Sequence, residues 1–100
     1  MSQITILYWR DIPSQVIARA GRVQEKRMLP DRFQEAIDMA AMRSGAQGTD
    51  EYLADWRRAE PVHCGDDLAQ EAERVAAEID RQFDKERLKA LIANGGREPA

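Results

Sequence analysis

The sequence predicts an α+β fold: a two-layer sandwich in which helices cover a small, mainly antiparallel three-stranded sheet, in the order β-β-α-α-β-α. Three observations carry this. The chain opens on a β-branched and aromatic run, Gln3-Ile4-Thr5-Ile6-Leu7-Tyr8-Trp9, too short for a helix and followed by turn-forming residues. It ends on apolar residues at helical spacing, Leu68, Ala72, Val75, Ala76, Ile79, Phe83, Leu88, Leu91 and Ile92, which form one stripe over six turns. Of its 100 residues 43% are hydrophobic and 33% charged, a globular balance that fits one domain, 1–100. A helix with one apolar stripe must bury it against another layer.

In chain order, Asp11-Ile12-Pro13-Ser14 supplies turn chemistry between the first run and Gln15 to Ala20, so the two read as a β-hairpin. The second strand continues through a bulge at Gly21 toward Leu29 and stops at Pro30, which has no N–H for a ladder. Asp31 to Gln34 has capping-box spacing and opens a helix through Phe33, Ile37, Ala40 and Ala41, flanked by Met39 and Met42 and closed by Gly45. Thr49 caps a second helix that carries Tyr52, Leu53 and Trp56, with Arg57 and Arg58 in its last turn. Glu60 to Cys64 is the third strand. Asp67 caps the long last helix, Asn94-Gly95-Gly96 closes it, and a loose tail runs from about residue 95.

Charge and composition exclude several classes of function. The net charge is -3, and residues 1–60 are balanced, so the charge argues against nucleic-acid binding. No apolar run approaches the ~20 residues of a membrane span, and the start has no basic segment of a secretory leader. One Cys and one His exclude an internal disulfide and a Cys- or His-pair metal site, so neither a metal nor a cofactor is expected. The lone Cys fits a reducing cytoplasm.

Four groups of residues are candidates for chemistry or binding. Alternation along the first strand places Ile4, Ile6 and Tyr8 on one face and Thr5, Leu7 and Trp9 on the other. Trp9 is then either an exposed anchor or packed under a loop or helix end. The exposed reading makes Tyr8, Trp9, Arg10 and Asp11, with Arg19 beside them, a surface for a protein partner, in which an Arg meets a carboxylate or phosphate. Arg19, Arg22, Lys26 and Arg27 form a basic strip that either contacts an anion, nucleic acid included, or protects an edge strand. Cys64 lies before a helix N-terminus that would lower its pKa, the basis of an alternative as a thiol-dependent enzyme or redox-sensitive protein; as adjacent strand residues, His63 and Cys64 face opposite ways. Asp50, Glu51, Asp55, Asp66 and Asp67 sit at helix starts, where carboxylates serve as caps rather than catalysts. The preferred reading is a non-catalytic binding module.

Tyr8-Trp9-Arg10-Asp11-Ile12-Pro13-Ser14-Gln15-Val16, then Ala18-Arg19, Leu29-Pro30 with Arg32-Phe33, and Tyr52-Leu53 with Trp56, resemble the small bacterial "virulence factor" domain family over roughly residues 3–91. The family name describes a phenotype, and the resemblance brings no catalytic residues. It implies a cytoplasmic accessory protein with a protein partner, serving corrinoid- and folate-dependent methyl transfer in methionine synthesis.

Overall fold

A computed structural model describes residues 2–98. Its elements are β1 (Ser2–Trp9), β2 (Ile12–Ala20), β3 (Val23–Met28), α1 (Asp31–Ser44), α2 (Asp50–Ala54), β4 (Trp56–Arg58), β5 (Val62–His63), α3 (Leu68–Gln82) and α4 (Lys85–Ala93). The fold is α+β with an antiparallel sheet, as expected, but the sheet has five strands rather than three. Its order is β3-β2-β1-β4, and β5 also pairs with β1.

The extra strands have local causes. Gly21 is not a bulge: at φ +60° it begins a two-residue turn with Arg22, and Ala20 pairs with Val23, so the long second strand folds back as a second hairpin. Trp56 belongs not to a helix but to β4, because α2 ends at Ala54 after five residues. The first turn also lies earlier than expected. Trp9 pairs with Ile12, leaving Arg10 and Asp11 as the loop, while Pro13 stands within β2 opposite Tyr8, next to a register shift where a missing N–H is tolerated.

The last helix is broken. The Asp84 carboxylate accepts from the Arg87 N–H at 2.9 Å and starts α4. The carbonyls of Asp80 and Phe83, at the end of α3, accept from the Arg32 guanidinium at 2.9 and 3.1 Å. The Phe83 ring meets Phe33 edge-on, 6.2 Å between centroids. The break lets α3 pack across β2 and β3 while α4 packs against α1. One buried cluster joins Ile4, Val16 and Ala18 of the sheet to Phe33, Ile37, Ile79, Leu88 and Leu91 of the helices.

Residues 95–98 are not a loose tail. Asp11 N–H donates to the Gly96 carbonyl at 2.8 Å, Glu98 N–H donates to the Asp11 carboxylate at 2.7 Å, and Arg87 pairs with Glu98 at 2.9 Å. The remainder of that expected tail, Pro99 and Ala100, lies outside the described residues.

Candidate functional site

The first hairpin turn gathers Tyr8, Trp9, Arg10 and Asp11, but turned largely inward. Trp9 is fully buried. Its indole N–H donates to the Tyr52 carbonyl at 2.9 Å, and its ring lies 5.7 Å from the Tyr52 ring. On another side Gly96 approaches so closely that a Cβ there would stand 2.8 Å from Trp9 Cζ3. The exposed-anchor expectation is therefore corrected: Trp9 packs under a helix end and a C-terminal loop. Segments remote in sequence, α2 and the C-terminal loop, cover it.

Arg10 is also buried, and its φ of +54° is uncommon for a side-chain-bearing residue. Its guanidinium donates to Asp55 Oδ2 at 2.9 Å, to the Gly95 carbonyl at 2.7 Å and to Glu51 Oε1 at 3.3 Å, and it sits 4.5 Å from the Trp9 ring centroid. Glu51 and Asp55 thus serve this arginine, a role that their reading as helix-start carboxylates missed. Asp11 binds Arg57 at 3.3 Å, and the Arg57 guanidinium covers the half-buried Tyr8 ring at 4.6 Å. Its charges satisfied from within, the turn acts as a latch that ties the first hairpin to α2, β4 and the C-terminal loop.

Arg19 does not join this group. It pairs with Gln3 at the far end of the hairpin, roughly 20 Å away along the strand. The basic strip also divides. Arg27 is held by Glu73 of α3 at 3.0 Å and by Glu25 at 3.5 Å. Arg22 is exposed in the Gly21 turn, whereas Arg19 and Lys26 share the opposite sheet face with Ile17.

Cys64 is half-buried beside the core, and its N–H donates to the Ser2 carbonyl at 3.1 Å. Burial pushes its thiol pKa up; Glu71 and Asp66 add to this, and Arg74 opposes it. The expected lowering by the helix N-terminus is not found. A protonated thiol is a poor nucleophile, which removes the support for thiol chemistry. Among the described residues no cluster of His, Cys, Asp or Glu could hold a metal ion, and no helix is long and apolar enough to cross a membrane.

A surface that the sequence reading passed over lies along the α1–α4 seam. Met39 and Met42 are 53% and 61% exposed, so they flank rather than join the buried stripe of α1. Two depressions of about 300 and 340 Å³ share Met39 and Ile92 and run together as one groove. Ala36 and Leu88 complete its apolar lining, and Arg43, Lys85 and Lys89 stand on its rim. None of these three cations has an ion-pair partner among the described residues. The one acidic residue in the lining is Glu35, since Arg32 is paired with Asp80.

A family model described as "Virulence factor" matches residues 7–92, most of the chain. The chain belongs to the virulence factor family. The match begins just before the latch and ends at Ile92, in the groove. Searches of curated proteins and of solved structures returned no match.

Proposed function

We propose that this member of the virulence factor family is a non-catalytic binding module whose partner is an acidic amphipathic helix docked in the α1–α4 groove. The observation that carries this reading is the groove's chemistry: exposed Met39 and Met42 beside Ile92, rimmed by three cations without ion-pair partners. Methionine is flexible and polarisable, which suits adaptable helix-binding surfaces. The seam from Arg32 to Arg43 is roughly 16 Å long, about three helical turns, enough for apolar anchors at i, i+4 and i+7. The cations select acidic flanks and speed association. The latch residues Trp9 and Arg10 hold the fold, while Tyr8 and Asp11 line a separate shallow depression with Arg57 and Arg87.

The test is titration with a synthetic acidic amphipathic 14-residue peptide, designed on the geometry above. Binding that falls at least tenfold in Met39→Asp and weakens with salt supports the reading. Equal binding of a basic peptide of the same apolar pattern overturns it. The narrower reading, service to corrinoid- or folate-dependent methyl transfer, rests on family resemblance alone. It predicts that a purified methyl-transfer component co-elutes with the wild-type chain and not with Met39→Asp.

A further inference from the structure

A second concavity lies on the other side of the sheet. Gln3, Thr5, Ile17 and Arg19 share the face opposite Ile4 and Ala18, and Ile17 is buried yet stands apart from the main cluster. The chain between β4 and β5 closes over this face and leaves a pocket of about 320 Å³, within the usual range for small-molecule sites. The pocket is built rather than incidental. Thr5 Oγ1 donates to the Ala59 carbonyl at 2.6 Å, and Ala59 N–H donates to the Ile6 carbonyl at 2.9 Å, which pins the wall to β1.

The lining is amphiphilic. Ile17, Ala59 and Pro61 supply an apolar wall, and Arg19 and Arg58 approach from opposite strands, β2 and β4. Neither arginine has an ion-pair partner among the described residues, whereas Arg10, Arg27 and Arg57 are all paired. Among the lining residues the single carboxylate, Glu60, is outweighed by the two arginines. Two guanidinium forks facing one cavity suit an oxyanion.

We infer that this pocket binds a small amphiphilic anion, one carboxylate or phosphate group on a short aliphatic body, with the oxyanion between Arg19 and Arg58 and the body against Ile17 and Pro61. The site lies on a different face from the helix groove and does not depend on it.

The full chain should be titrated with hexanoate, hexyl phosphate, inorganic phosphate and hexylamine, followed by backbone amide spectra. Hexanoate or hexyl phosphate should shift the amides of Gln3–Thr5, Ile17–Arg19 and Arg58–Glu60, and the tighter of the two identifies the oxyanion. Inorganic phosphate alone should bind about tenfold more weakly for want of the apolar body. Arg19→Ala and Arg58→Ala, both exposed positions, should each weaken binding about tenfold at unchanged melting temperature. Hexylamine binding as tightly as hexanoate, wild-type affinity in both variants, or no shifts in the pocket amides would overturn the assignment.

Discussion

Replacing Arg10 separates a latch from an ordinary surface turn. The Arg10 side chain is 6% exposed, and its strongest contacts are Asp55, itself 25% exposed, and the Gly95 carbonyl. Charged hydrogen bonds of this kind contribute about 1.5–3 kcal/mol each, with losses that are not additive. Glu51 is 65% exposed, so its pair adds little. Lost packing on the Trp9 ring adds about 0.5–1 kcal/mol. Arg10→Ala should therefore cost about 3–4 kcal/mol, a large share of a typical total of ~5–15 kcal/mol. The φ of +54° provides an internal control: Arg10→Gly removes the same side chain but relieves the backbone, and should be about 1 kcal/mol milder. Urea unfolding followed by tryptophan fluorescence reads both. With a slope near ~1.5 kcal/mol/M, the alanine midpoint should fall by about 2 M. A loss below ~1 kcal/mol at unchanged slope, with Gly and Ala equal, refutes the latch.

Other substitutions probe neighbouring parts of the account. Gly96→Ala places a methyl 2.8 Å from the Trp9 ring at a φ of +91°, and should cost about 2 kcal/mol, a fall in melting temperature of about 10 °C by calorimetry. Asp84→Ala removes the cap of α4 and should cost about 1 kcal/mol in the same assay. Cys64, with its pKa raised chiefly by burial, should react with a disulfide reagent at pH 8 more slowly than a free thiol, which a rate faster than glutathione would contradict. Because the raised pKa keeps the folded thiol protonated, any stability it contributes is complete below the unfolded pKa and is lost as pH rises through the folded one.

What the sequence made legible were features with local causes. The β-branched opening strand, the Asp67 cap, whose carboxylate accepts from Gln70 N–H at 3.1 Å, and the Gly45 helix end at φ +76° all follow from short-range chemistry. The misplaced first turn shows the limit. Asp11-Ile12-Pro13-Ser14 carries turn residues, yet the turn falls on Arg10, whose left-handed backbone is sustained by partners at 51, 55 and 95. Trp9 was ambiguous for the same reason, since its cover comes from Tyr52 and Gly96. In the last helix the apolar stripe keeps its period across Asp84, so periodicity conceals a break that Arg32 and Phe33 impose from α1. The groove had a faint signal in Met39 and Met42, large apolar residues off the buried stripe. Arg58 had none, because it was placed in a helix rather than opposite Leu7 in β4.

Trp9 and Arg10, in the most individual run of the sequence, face inward, and the proposed binding surface lies on the helical side instead. Backbone and indole spectra of the full chain, recorded with and without the acidic amphipathic peptide, test both halves together. The account predicts shifts concentrated in residues 36–43 and 85–92, with the Trp9 indole N–H unmoved and slow to exchange with solvent. Shifts centred on Tyr8 to Asp11, with a rapidly exchanging Trp9 indole, would contradict it.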